Sequence, residues 1–229
     1  MLAKKYKSEL ISILNPFEGI YTLEFKSLGR KYKYKPGQFL HLAIDEDYDG
    51  IGQWPESRCF SIQSAPGENA IKITYAVKGD FTKEMASTLK EGKEVWLKLP
   101  YGDLFQQDHN KRNTVFIAGG TGLTPYLSLF TDSAFSLYEN PKVYMGFRER
   151  SLQIYNNELE LAKKNCASVF SKNYYQDTDG VIDIAQILSE SDISSSFFIS
   201  GPPVMIKNFK EYLITNGVEE EQVKTDDWE

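Results

Sequence analysis

The chain has 229 residues, 41% hydrophobic and 14% aromatic, enough apolar side chain for two small cores or one large one. Its formal charge of −6 disfavours nonspecific nucleic-acid binding, and no apolar run reaches the roughly eighteen residues of a membrane span. Its two cysteines, Cys59 and Cys166, stand far apart without Cys-x-x-Cys spacing, so the chain alone builds no disulfide framework, zinc site or iron–sulfur site, and no metal is expected.

Met1 to Leu14 is interrupted by Lys4, Lys5, Lys7 and Glu9 and lacks the apolar core of a signal peptide, so the cytoplasm is the expected location. From there to Leu99 the runs are short, β-branched and aromatic. Leu10 to Leu14, Ile20 to Phe25, Phe39 to Ile44, Ile71 to Val77 and Val95 to Leu99 read as strands, several with alternation. Asn15-Pro16, Leu28-Gly29, Pro36-Gly37, Ala65-Pro66-Gly67 and Glu91-Gly92 separate them as turns. Regular short strands with tight turns predict a closed antiparallel barrel. The basic segment Lys26 to Lys35 reads as a solvated hairpin tip.

Within this half, Arg58-Cys59-Phe60-Ser61 opens a strand with a fixed cation, an aromatic ring and a hydroxyl, Arg58 and Phe60 on one face and Ser61 on the other. An arginine fork suits phosphate and an aromatic ring stacks on flat heterocycles, although an edge arginine beside a core phenylalanine has the same pattern. One helix follows Gly79-Asp80, with Phe81, Met85 and Leu89 on one face and Thr82 available to cap it.

Gln106 to Asn113 is polar and reads as a linker, giving domains 1–108 and 109–229. Beyond it strands and helices alternate: Thr114 to Ala118, a helix after Thr124, Lys142 to Phe147, a helix near Leu152 to Lys163, Ser168 to Ser171, a helix near Ile182 to Leu188, Phe197 to Ser200, and a last helix. This pattern predicts a parallel sheet covered by helices on both faces.

The run Val115 to Ala118 breaks into Gly119-Gly120-Thr121-Gly122 and restarts as a helix at Thr124-Pro125, with Thr124 as cap and Leu127, Phe130, Ala134 and Leu137 as the apolar face. A helix opening from a glycine turn offers free N–H groups to a pyrophosphate. Gly201-Pro202-Pro203 ends another buried strand in the same way, before a helix whose inner face carries Met205, Phe209, Tyr212 and Leu213. At the carboxyl edge of a parallel sheet two such turns can bracket one ligand.

Taken in order, Arg58-x-Phe60-Ser61, Gly79-Asp80-Phe81-Thr82, Pro100-Tyr101-Gly102, Gly119-Gly120-Thr121-Gly122-x-Thr124-Pro125 and Gly201-Pro202-Pro203-x-Met205 resemble the ferredoxin–NADP reductase superfamily over nearly the whole chain. The resemblance implies a two-domain flavoprotein: an antiparallel barrel for FAD, an α/β domain for NAD(P)H, and the flavin at their junction. It places Arg58 near the flavin phosphate, Phe60 against the isoalloxazine and Ser61 near N5. Gly79 and Thr82 would hold the FAD pyrophosphate, which favours FAD over FMN.

By the same resemblance Gly119, Gly120, Thr121, Gly122 and Thr124 would take the dinucleotide pyrophosphate. Gly201, Pro202 and Met205 would lie near the nicotinamide, and Trp228 would be the C-terminal aromatic that many relatives set against the flavin. Ser200 stands where many relatives have a cysteine, and Phe60 where tyrosine is commoner. Arg148, Arg150, Ser171, Lys172 and Tyr174 allow a 2′-phosphate pocket while Asp177 and Asp179 oppose it, leaving the choice of NADH or NADPH open. His41 and His109 are expected to be structural or solvated.

The implied activity is hydride transfer from NAD(P)H to FAD, with electrons passed to a separate acceptor: ferredoxin, flavodoxin, an oxygenase component, a haem protein or a small molecule. A monomer is expected. The alternatives are a free-flavin reductase and a non-catalytic nucleotide-binding regulatory module.

Overall fold

The computed structural model describes residues 2–226, and Trp228 lies outside them. The chain forms two compact units, the first ending at Asp103 and the second starting at Leu104. Leu104 is buried and Phe105 packs against Phe198, 5.2 Å between ring centroids, so both side chains belong to the second core.

The first unit holds strands β1 (Lys4–Phe17), β2 (Ile20–Ser27), β3 (Phe39–Ala43), β4 (Arg58–Ser61), β5 (Ala70–Ala76) and β6 (Glu94–Tyr101), with helix α1 (Asp80–Thr88) between β5 and β6. The strands form one antiparallel sheet in the order β4-β3-β6-β1-β2-β5. Alternate residues point to opposite faces of a strand, which sends Leu40 and Leu42, Ile71 and Ile73, and Val95, Leu97 and Leu99 into one core. The sheet curls towards closure, since Gln63 N, just past β4, donates to Lys72 O of β5 at 2.8 Å. Phe81, Met85 and Leu89 press into the same core. Full burial of one such side chain is worth about 1.5–3 kcal/mol.

Two expectations are corrected here. β1 does not turn at Asn15-Pro16; it runs on to Phe17, with register shifts between Leu10 and Ser12 and between Leu14 and Phe17. Pro16 falls in the second irregularity, where no ladder N–H is demanded, and the chain reverses at Gly19 with φ 73°. Lys26 to Lys35 is not a hairpin tip, because it leads from the end of β2 into the connection to β3, with Tyr32 and Tyr34 buried.

The second unit contains β7 (Thr114–Gly119), α2 (Thr124–Phe130), β8 (Lys142–Phe147), α3 (Asn156–Asn165), β9 (Phe170–Tyr175), α4 (Ile184–Ser189), β10 (Ser196–Ser200), α5 (Pro203–Thr215) and β11 (Val223–Thr225). Its sheet is parallel, in the order β11-β10-β7-β8-β9. Phe116 and Ala118 of β7 belong to the cluster with Tyr126, Leu127 and Ala162, while Val115 and Ile117 pack with Ile187, Ile206 and Leu213. Such two-sided burial requires a strand that is apolar throughout.

Several details differ from the expected pattern. α2 stops at Phe130; Ala134 and Leu137 belong to a separate 3-10 turn capped by Asp132, and Leu137 is exposed. α3 starts at Asn156 after a 3-10 turn at residues 150–152, and α4 starts at Ile184, where Asp183 accepts from Ala185 N and Gln186 N. β9 starts at Phe170 instead of Ser168. The most buried residues of α5 are Ile206 and Leu213. β11 has no counterpart in the expected order. No helix among the described residues is long and apolar enough to cross a membrane.

Candidate functional site

In the first unit β4 pairs with β3, placing Arg58 opposite Leu42, Cys59 opposite His41, Phe60 opposite Leu40 and Ser61 opposite Phe39. Directly opposed residues share a face, so Arg58 and Phe60 lie on the face of buried Leu40 and Leu42, and Ser61 lies on that of Phe39 and His41. Phe60 meets Tyr75 edge-on at 5.8 Å between centroids. The Ser61 hydroxyl makes no hydrogen bond to any described residue.

The Arg58 guanidinium lies 5.1 Å above the Phe81 ring, the second residue of α1. A fixed cation therefore stands at the opening of α1, where helix geometry leaves the first N–H groups without intrahelical acceptors. Arg58 also donates to Glu56 Oε1 at 2.8 Å and to Ser57 O at 2.9 Å, a pair set in solvent.

Gly79 precedes α1 in extended backbone, φ −125° and ψ −178°, with open space where a Cβ would stand. Thr82 is not the cap residue, because the helix already begins at Asp80. From the third helical position its Oγ1 reaches back, accepting from Lys78 N and Gly79 N at 2.9 and 3.1 Å and donating to Gly79 O at 2.9 Å. These bonds fix the turn while leaving it open to a ligand. The arrangement of Arg58, Gly79 and Thr82 thus fits a pyrophosphate.

His41 and Cys59 meet beside this strand, Sγ 3.5 Å from Nε2. Burial lowers the His41 pKa, with Lys98 adding to the effect, while burial raises that of Cys59 against the opposing Arg58 charge. Both shifts favour neutral side chains. His109 stacks beside Tyr138, its Nε2 2.7 Å from the Tyr138 hydroxyl, and burial lowers its pKa as well.

In the second unit β7 and β10 are parallel neighbours with Ala118 beside Ser200, so their glycine turns leave the sheet together. They pack on each other. A Cβ on Gly122 would stand 2.6 Å from Gly201 Cα, one on Gly119 2.9 Å from Pro202 Cδ and 3.1 Å from Met205 Sδ, and one on Gly201 2.8 Å from Met205 Cε. Gly120 alone of these four has nothing within 4 Å, at φ 55°. Gly119, Gly122 and Gly201 thus allow two loops to touch, and Gly120 leaves backbone open to a dinucleotide phosphate.

Thr124 does not cap α2. Residues 120–123 form a 3-10 turn running straight into the helix, so Thr124 sits inside it, buried, and donates to Thr121 O at 2.8 Å. Ser200 is 2% exposed, and its hydroxyl donates to Asp226 Oδ2 at 3.1 Å, while Asp226 N donates to Ile199 O at 3.0 Å. Asp226 escaped sequence reasoning, because an aspartate in an acidic tail carries no local signal and only the pairing of β11 with β10 brings it to Ser200.

Ser171, Lys172 and Tyr174 lie within β9 and do not follow it, a consequence of the later strand start. At the strand's end Arg150 stands 4.9 Å from the Tyr175 ring centroid, and Asp179 Oδ2 accepts from Tyr175 N at 3.0 Å.

Residues 6–126, more than half of the chain, match the FAD-binding domain family. Over 171 residues the chain is 27% identical to methane monooxygenase component C of Methylosinus trichosporium, covering 70% of this chain and 48% of that protein. Over 236 residues it is 25% identical to the reductase component of propane 2-monooxygenase from Mycolicibacterium goodii, covering 95% and 66%. The chain thus spans about half to two thirds of the length of these curated relatives. A ferredoxin NADP+ reductase from Neisseria gonorrhoeae, solved with bound FAD and NADP, shares the fold at a TM-score of 0.78 and 17% identity, covering 99% of this chain and 98% of that one.

Proposed function

The chain belongs to the FAD-binding domain family, and from that membership we propose that it is an NAD(P)H-dependent reductase, carrying FAD on its first unit and the dinucleotide on its second and passing electrons to a separate acceptor. The observation that carries this reading is the Arg58 guanidinium over Phe81 at the opening of α1, a helix preceded by Gly79, whose surroundings are open. FAD bound there would supply the hydride-accepting and one-electron-donating chemistry of such a reductase.

The chain's own residues bind and orient. Arg58 and the first N–H groups of α1 neutralise the FAD pyrophosphate, Gly79 lets it approach, and Thr82 holds that turn in shape. Phe60 would supply an aromatic face for the flavin ring system, and Ser61 would offer it an unengaged hydroxyl. On the second unit Gly120 and Thr121 receive the dinucleotide phosphates, while Gly119, Gly122, Thr124, Gly201, Pro202 and Met205 hold the two turns together. Ser200, oriented by Asp226, is the polar group offered to the nicotinamide. The acceptor we favour is an oxygenase component or a ferredoxin, as the names of the relatives suggest. Flavodoxin and small molecules remain within the same chemistry.

The test is an anaerobic visible spectrum of the FAD-loaded protein before and after NADH and NADPH in separate cuvettes. Bands that bleach with either nucleotide support hydride transfer and identify the donor. FMN should bind less tightly than FAD, because it lacks the pyrophosphate that Gly79 and Thr82 would hold. Arg58→Ala should weaken FAD by about ten- to a hundredfold, the value of a lost charge-assisted contact. A protein that takes up no flavin, or one whose flavin neither nucleotide bleaches, overturns the reading. Readily released flavin turned over as substrate would favour the free-flavin reductase.

A further inference from the structure

On the outer face of the first sheet three chemically different side chains stand in a row across three strands. Cys59 of β4 pairs with His41 of β3, and His41 pairs in turn with Lys98 of β6. Thiol, imidazole and ammonium therefore share one face, opposite to the one that sends Leu40, Leu42 and Leu97 into the core. Cys59 is exposed and its two neighbours are half-buried. Its Sγ lies 3.5 Å from His41 Nε2, while His41 Nδ1 lies 3.4 Å from Ser57 Oγ, which also accepts from Trp54 Nε1 at 2.8 Å. Lys98 Nζ stands 5.6 Å from the Trp54 ring centroid and 5.9 Å from that of Tyr101, and it makes no ion pair with any described residue.

A nucleophile with a base in reach, and a third group holding the base, is the general arrangement of an activated thiol. An imidazole with its proton on Nδ1, towards Ser57, presents the Nε2 lone pair to the Cys59 thiol. The row supplies no second thiol, since Cys166 is buried in the core of the second unit with its Sγ donating to Tyr138 O at 3.2 Å. A sulfur partner must then come from a separate molecule. A metal ion fits less well, because no three His, Cys, Asp or Glu side chains among the described residues are grouped to hold one and the Lys98 charge would repel it. The same charge attracts a carboxylate.

We propose that Cys59, with His41 as its base and Lys98 as its anion-binding group, is a thiol–disulfide exchange site for a small carboxylate-bearing disulfide, and that the adduct controls FAD uptake, a second step that rests on the reductase reading above. The Cys59 thiol gives its proton to His41 Nε2 as Sγ bonds to one sulfur of the incoming disulfide and the disulfide's S–S bond breaks. The other half leaves as a thiolate, which takes that proton. Sγ is oxidised and the leaving sulfur reduced, giving one mixed disulfide and one free thiol, and exchange with a small thiol reverses the step. The adduct sits on the strand between Arg58 and Phe60 and on the face of Ser61, so it crowds groups proposed for the cofactor.

The experiment follows the mass of the whole chain at about pH 7.5 and low salt, with oxidised glutathione as the carboxylate-bearing probe and cystamine as a cationic one. Wild type should gain a single glutathione adduct, at Cys59, removed by dithiothreitol. His41→Gln should slow reaction with both probes by about tenfold or more. Lys98→Gln should slow oxidised glutathione by about three- to tenfold without slowing cystamine. Cys59→Ser should form no adduct and bind FAD as wild type does, whereas the wild-type adduct should bind FAD about tenfold more weakly. No adduct, an adduct at Cys166, or a rate indifferent to either His41→Gln or Lys98→Gln overturns the exchange site, and an adduct that leaves FAD affinity unchanged overturns its control of the cofactor. Unmodified wild type that binds no FAD would instead strike the reductase reading, with adduct mass and rates still deciding the exchange site.

Discussion

In the first unit the groups proposed to meet a ligand are largely unspent: Gly79 opens onto space, the Ser61 hydroxyl has no partner among the described residues, and Arg58 is held by the solvent-exposed Glu56, the Ser57 carbonyl and the face of Phe81. In the second unit the corresponding groups are largely committed to one another, with Gly119, Gly122 and Gly201 consumed by loop-on-loop packing and Ser200 bonded to Asp226. A glycine-rich motif therefore has two separable meanings. It can be empty because a ligand needs the volume, or because the fold does.

The largest effect that sharpens this contrast is expected at Gly122. A methyl there stands 2.6 Å from the Gly201 backbone, which no flexible side chain can relieve, so Gly122→Ala should destabilise the second unit by about 2–3 kcal/mol in urea titrations. Gly120→Ala meets no atom but must hold φ 55°, at a cost of about 1–2 kcal/mol. Equal losses of stability would refute the division of roles among these glycines.

Gly79→Ala makes the converse case. Its backbone is ordinary and its surroundings are open, so unfolding should shift by less than about 0.5 kcal/mol. FAD affinity, measured by flavin fluorescence, should nevertheless fall by about tenfold, because the methyl enters the volume proposed for the pyrophosphate. Unchanged affinity would move the ligand away from this turn.

The same distinction explains what the amino-acid order could and could not disclose. Arg58-x-Phe60-Ser61 was legible because its meaning is local: an alternating strand fixes which face each side chain takes. The buried β7 was legible from four consecutive apolar residues. Pro16 misled because a bulge forgives what a regular ladder forbids, and Leu137 misled because a 3-10 turn interrupts the 3.6-residue period after Phe130. The pairing of Ser200 with Asp226 and the contact of Gly122 with Gly201 depend on strand order, which local periodicity does not encode. The basic run Lys26 to Lys35 was visible as composition, but only the burial of Tyr32 and Tyr34 shows that it is held in place.

Each unit also holds one histidine whose pKa is lowered by burial, reinforced by Lys98 at His41 and opposed by the Gln107 carbonyl at His109. The unfolded chain then binds protons more readily than the folded one in the window below the ordinary imidazole pKa of about 6.5. Stability contributed by these groups is complete above that window, falls as the pH drops through it, and levels off once the folded-state pKa is passed. Urea midpoints should therefore decline from about pH 7.5 to 5.5, and His41→Gln should flatten the decline of the first unit only. A decline unaffected by that substitution would assign the pH response to other groups.

The smallest effect tests how cheaply Arg58 is released. Its carboxylate partner Glu56 has a side chain 72% exposed, and exposed pairs of this kind contribute about 0.2–1 kcal/mol. A phosphate arriving at Arg58 must share or displace Glu56, so Glu56→Gln should tighten FAD binding by about two- to fivefold at low salt, with the gain vanishing as salt screens the pair. Weaker binding in this variant would mean that Glu56 positions the guanidinium for the ligand, and the first unit's site would then resemble the second in being held ready by contacts of its own.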